Sequence, residues 1–216
     1  FLMATNRDKA IIKDLNKFRV MDRDSIAELH FANLKNPQVA ANNVLLRLVR
    51  DGKIQRSNAF VPYVYFGPDV SMKKNSAKIG HFLAILNVYK EMRKLGRLET
   101  FLPEPKYGKK GAAEPDIFAV FRGTGFFIEV QRTLYSPKQM SEKFDRYADL
   151  FNIEVLPKPF PHILILSADP YDIKGDYPFR IFQSSSFTEF VESLKPRNVA
   201  KPVMKSEGGG IKMLVK

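Results

Sequence analysis

The stretch Pro115-Asp116-Ile117-Phe118-Ala119-Val120-Phe121-Arg122-Gly123-Thr124-Gly125-Phe126-Phe127-Ile128-Glu129-Val130-Gln131 decides how the fold is read. Two short apolar runs, 117–121 and 126–131, flank a tight turn at 123–125. Apolar runs bounded by such turn residues read as a pair of antiparallel strands. Asp116 then stands at the start of one strand and Glu129 near the end of its partner. Gln131 lies two residues beyond Glu129 and so points to the same face. Glu129 follows Phe126, Phe127 and Ile128, where a carboxylate is costly to bury without a partner. It either faces solvent on an edge strand or shares a hard cation with Asp116. Carboxylates on two paired strands can hold Mg²⁺ or Mn²⁺, with a main-chain carbonyl and phosphate oxygens completing the shell. Such an ion stabilises an in-line displacement and generates hydroxide from water.

Outward from this hairpin the pattern is again helical or apolar. Residues 76–95 carry Ile79, Phe82, Leu83, Leu86, Val88, Tyr89 and Met92 at helical spacing and stop at Gly96. A short strand over 98–102 and a basic, Gly-containing loop over 103–113 follow, the loop holding Lys106, Lys109 and Lys110. Downstream, 137–151 places Met140, Phe144, Tyr147 and Leu150 on one helical face, and 162–166 is a fully apolar strand. The order is helix, three strands, helix, strand, which predicts an α+β architecture with a mixed sheet. Beyond it lie a polar loop over 169–178, a strand over 179–182, a serine-capped helix over 186–194, and a loose tail with a last strand at 211–215.

The first part of the chain has another rhythm. Ile11, Ile12, Leu15 and Phe18 predict a helix over 6–19, followed by a break at Val20-Met21. Asp22 caps a second helix over 23–31. Asn36 and Pro37 open a third, whose buried stripe is Val39, Ala40, Val44, Leu45, Leu48 and Val49, ending at Asp51-Gly52. Strands over 53–56 and 63–66 complete the order of a winged helix-turn-helix. In such a module the third helix enters the major groove. Its polar face offers Gln38, Asn42, Asn43, Arg47 and Arg50, and the wing offers Lys53, Gln55 and Arg56. Asn and Gln suit adenine edges, and Arg suits guanine or phosphate. The alternative is a solvated helix face in a protein-interaction module. The chain thus divides into a DNA-binding unit over 6–70, an αβββαβ unit over 75–195 and a tail over 196–216.

Charge favours the DNA reading. Residues 1–96 hold 17 Lys/Arg against 8 Asp/Glu, and residues 97–216 hold 18 against 15, so most of the net +12 lies in the first half. Clustered cations release counterions from a phosphate backbone. There is no cysteine, which excludes thiolate metal sites and thiol nucleophiles. His30, His81 and His162 form no paired metal motif of the kind a tyrosine relaxase needs, and no GxxxxGK[ST] run marks a P-loop ATPase. No apolar run approaches the ~20 residues of a membrane span, and Phe1-Leu2 before Met3 lacks the order of a signal peptide. These features predict a cytoplasmic protein without a membrane partner, with an oligomer left open.

Pro115-Asp116 with Glu129-Val130-Gln131 resembles the PD-(D/E)XK nuclease signature, and the αβββαβ order matches the core of that superfamily. Over most of the chain, Pro115-Asp116-Ile117-Phe118, the run from Phe127 to Thr133, and Lys143-Phe144 with Tyr147 resemble the replication-relaxation proteins of Gram-positive plasmids and phages, which also carry an N-terminal winged helix. The resemblance implies Asp116 and Glu129 as metal ligands, with Mg²⁺ or Mn²⁺ as cofactor. It puts Gln131 in the slot usually held by a catalytic Lys. A neutral Gln cannot supply that positive charge, and Lys143 on the following helix is the candidate substitute. The first-helix acid of such nucleases would be Glu91, Glu99 or Glu104. Two functions follow: a metal-dependent DNA endonuclease or nickase, or a catalytically silent DNA-binding factor that keeps the nuclease fold as a platform for DNA or replication proteins. A regulator with a small-molecule domain is less supported, because no stretch suggests an effector pocket.

Overall fold

The computed structural model describes residues 5–108, 111–153, 156 and 158–196. Among these the chain is α+β, with six helices, a small antiparallel sheet of three strands and a mixed sheet of five.

Helix α1 (Asn6–Phe18) opens on a capping box. Thr5 Oγ1 accepts from the Asp8 amide at 3.1 Å and Asp8 Oδ2 accepts from the Thr5 amide at 2.9 Å, which satisfies two end groups at once. Ile11, Leu15 and Phe18 bury one face. Val20-Met21 is not the expected break. Arg19, at φ 65°, turns the chain out of the helix, and Val20–Asp22 becomes strand β1 with Val20 and Met21 buried. Asp22 then caps α2 (Arg23–Phe31), its Oδ1 accepting from the Ser25 amide at 2.8 Å.

Helix α3 (Pro37–Arg50) buries Ala41, Leu45 and Leu48. Val39, which the spacing placed in that stripe, is instead 58% exposed; two residues before Ala41 it sits about 200° around the helix. The next strand also starts later than expected. The Lys53 and Ile54 amides turn back to the Leu48 carbonyl through Gly52 at φ 67°, so β2 is Gln55–Ser57. With β3 (Val64–Phe66) the sheet order is β1-β3-β2.

Helix α4 (Ile79–Leu95) begins three residues after the expected start, because Ser76 Oγ accepts from the Lys78 amide at 3.2 Å and holds a turn there. Strands β4 (Leu98–Pro103), β5 (Ile117–Phe121) and β6 (Thr124–Val130) are antiparallel. Arg122 and Gly123 join β5 to β6 with φ of 50° and 77°, and Phe121 pairs with Thr124. Two left-handed residues in a two-residue loop match the twist of the flanking strands, so the turn falls one residue earlier than the glycine spacing suggested. Helix α5 (Pro137–Asn152) leads to β7 (His162–Leu166), which pairs parallel to β6. Strand β8 (Ile181–Ser184) pairs parallel to β7 and starts two residues late, since Phe179 stacks on Tyr177 at 5.6 Å and packs toward α5. Ser186 caps α6 (Phe187–Ser193). The expected strand at 211–215 and the residues Lys109 and Lys110 lie outside the described residues.

Strand alternation decides where the site can form. Ile117, Ala119, Phe121, Phe126 and Ile128 share a cluster with α4 and α6 that runs on into α1, α2 and α3. Phe127, Ile163 and Ile165 turn to the opposite face and pack on Met140, Phe144, Tyr147 and Leu150 of α5. By the same alternation Asp116 and Glu129 both lie on the α5 face. No helix among the described residues is long and apolar enough to cross a membrane.

Candidate functional site

Asp116 precedes the first paired residue of β5. The register Ile117 to Ile128 continues to place it opposite Glu129. Where β5 runs out, the Asp116 side chain replaces a ladder carbonyl: Oδ2 accepts from the Val130 amide at 2.7 Å. That bond fixes the carboxylate at the end of the sheet. Its other oxygen, Oδ1, lies 3.2 Å from Nε2 of His81, on the first turn of α4.

Glu129 is only 1% exposed. Its Oε1 accepts from the Tyr147 hydroxyl at 2.5 Å and its Oε2 from the Lys143 ammonium. Lys143 and Tyr147 are one helical turn apart on α5, so both reach the same carboxylate from above. Burial pushes the Glu129 carboxyl up to about 7; the Asp116 charge adds to the rise, and Lys143 and Tyr147 work against it. Burial alone would depress the Lys143 ammonium, yet the Glu129 and Asp116 charges outweigh it and hold Lys143 above its ordinary value. Burial and the neighbouring carboxylate raise the Tyr147 phenol well above its usual value, which keeps it protonated as the donor to Glu129. The hydrogen bond to Asp116 raises His81 against the opposing effect of its partial burial.

An open cavity of about 600 Å³ lies beside this cluster, with Asp116, Lys143, Tyr147, Tyr135, Gln139 and Arg146 on its walls. Asp116, Glu129 and Lys143 therefore come together; strand spacing suggested the two carboxylates, and the family resemblance suggested Lys143. Gln131 does not join them at the cavity; half-buried past the end of β6, it extends the ladder by donating its amide to the Leu166 carbonyl at 2.9 Å. Of the three candidates for a first-helix acid, Glu91 accepts from the Thr188 amide and hydroxyl at 2.9 and 3.1 Å, and Glu99 pairs with Arg97. Glu104 pairs with Arg19, but its amide donates to the Asp116 carbonyl at 2.8 Å and its charge reaches His81. Sequence spacing missed His81, since only the fold brings α4 against the start of β5. Gln139 and Arg146 were readable: with Lys143 they recur every three to four residues beside the apolar stripe of α5.

As arranged, these residues do not fit a divalent ion. Both Glu129 oxygens are engaged, one Asp116 oxygen is held by a backbone amide, and no three His, Asp or Glu side chains among the described residues converge on one point. Mg²⁺ needs near-octahedral oxygen donors with room for water. Here a lysine ammonium supplies the positive charge.

The second set of expected residues lies on α3 and the turn after it. Gln38, Asn42, Asn43, Arg50, Lys53 and Gln55 are exposed. Arg56 is partly buried over the Tyr63 ring at 4.7 Å. Arg47 is committed elsewhere: Nη2 donates to Oδ1 of the fully buried Asp8 at 2.7 Å, tying α3 to α1.

Comparison of the chain with protein-family models, with curated proteins and with solved structures returns no match.

Proposed function

We propose that this chain is a DNA-binding factor of the plasmid or phage replication-relaxation type, in which a winged helix-turn-helix is joined to a PD-(D/E)XK-like unit that serves as a platform. The observation that carries the DNA reading is the outer face of α3. Gln38, Asn42, Asn43 and Arg50 stand exposed on it, followed by exposed Lys53 and Gln55, in the half of the chain that holds most of the surplus positive charge. Side-chain amides and guanidinium on one helix face suit base edges and phosphates together. The element order, three helices with a three-stranded sheet closed by the β2–β3 pair, supports the same reading.

Duplex binding measured across a salt series tests it. Replacing Arg50 or Lys53 by Ala lowers affinity and reduces the salt slope by about 1 for each phosphate left without its cation. An unchanged slope in the double variant removes this face from the interface. The second reading, a metal-dependent endonuclease or nickase, is favoured by one feature: Asp116 and Lys143 stand on the wall of an open cavity, and Lys143 holds the buried Glu129 behind it. It requires Lys143 to give up Glu129 before an ion can bind.

A further inference from the structure

We propose that Lys143 is both the resident cation of the Asp116–Glu129 pair and the barrier that keeps divalent ions from it. The chain then holds this pair without metal and has a latent divalent-ion site that opens when the Lys143 side chain is removed. Only the expected ligand class, a hard divalent cation, rests on the nuclease-like reading; the exclusion rests on geometry.

Asp116 and Lys143 stand partly exposed on the cavity wall, whereas Glu129, at 1% exposure, is buried with Tyr147 behind Lys143. An ion approaching Glu129 from the cavity meets the ammonium that bonds Oε2 and the hydroxyl that bonds Oε1. A dication beside that ammonium is repelled by a unit charge at contact distance, in surroundings less polar than water. The wall and the charge are the same side chain. Shortening it to Ala does two things at once: it extends the cavity to Oε2 and removes the counter-charge on Glu129, leaving His81, 3.2 Å from Asp116 Oδ1, as the remaining basic neighbour of the two facing carboxylates. What remains is an all-oxygen donor pair reachable by water, which suits Mg²⁺ or Mn²⁺ and not a thiophilic metal.

Mn²⁺ binding to the full chain, followed at pH 8 by the decrease of the free-ion paramagnetic resonance signal, tests the inference. Lys143→Ala is expected to bind Mn²⁺ at least about a hundredfold more tightly than the unaltered chain. Lys143→Met, which removes the charge and keeps the bulk, falls between them, and adding Glu129→Gln to Lys143→Ala abolishes the gain. Mn²⁺ binding by the unaltered chain as tight as in Lys143→Ala, and abolished in Asp116→Asn, overturns the proposal. So does a folded Lys143→Ala chain, verified by circular dichroism, that shows no gain. Should Lys143→Ala not fold, Lys143→Met binding no tighter than the unaltered chain is the overturning result. Salt-dependent duplex binding in the same samples separates the two readings, because its absence counts against the DNA-binding function and leaves the metal result standing.

Discussion

Asp8 and Glu129 are the two buried carboxylates among the described residues, and each touches one basic side chain. Their electrostatics run in opposite directions. Burial pushes the Asp8 carboxyl up, but the Arg47 guanidinium and the Thr5 amide and hydroxyl outweigh it and hold the group below the usual carboxylate range. Asp8 also sits in the first turn of α1, where the helix dipole favours an anion. Glu129 faces a second carboxylate, so burial prevails and the group rises to about 7. The same contact, carboxylate to cation, fastens two helices in one place and leaves a poised acid in the other. Perturbation of the second kind gathers at functional sites.

Breaking each pair should expose the difference. The largest effect is expected at the first. Arg47→Ala strands a fully buried carboxylate and lowers unfolding free energy by about 3 kcal/mol, measured by urea denaturation, while leaving the salt slope of DNA binding unchanged. The pH profile comes next. Glu129 has a folded value near 7, above its ordinary 4.5, so the folded state binds the extra proton between those values. Stability therefore falls as pH rises through this window, by roughly 2 to 3 kcal/mol, and Glu129→Gln flattens this part of the profile. His81, also raised, acts in the same sense: its contribution is full below its ordinary 6.5 and disappears as pH passes its folded value. Thermal unfolding from pH 5 to 8 checks both. Lys143→Met has a smaller effect, about 1 kcal/mol at pH 8 and less at pH 5, because Glu129 can take up a proton where Asp8 cannot do so as readily. Tyr147→Phe removes only a hydroxyl, and its expected cost is of the same order or below.

The sequence made much of this legible, for reasons that differ by region. Period-two and period-3.6 patterns around 117–131 and 137–151 reflect faces buried on two sides of one sheet, so the hairpin, α5 and the facing of Asp116 and Glu129 could be anticipated, whereas Lys143 was reached only through the family resemblance. Val39 and Arg47 could not be placed correctly by the same means. Spacing assigns a residue to a helix face but does not say which neighbouring helix covers that face, and Asp8 lies 39 positions from its partner. His81 failed for the same reason at greater cost, since its meaning comes from a contact with Asp116 that only the packing of α4 on the sheet creates. Strand β1 was hidden because three residues are too few for a pattern and its pairing partner, β3, lies over 40 residues away.

Incubating supercoiled plasmid with the full chain in Mg²⁺ or Mn²⁺ tests the platform reading most directly. With Lys143 on Glu129, the expected result is a salt-sensitive mobility shift and no conversion to nicked or linear DNA at either metal. Metal-dependent nicking by the unaltered chain, abolished in both Asp116→Ala and Glu129→Ala, would contradict it.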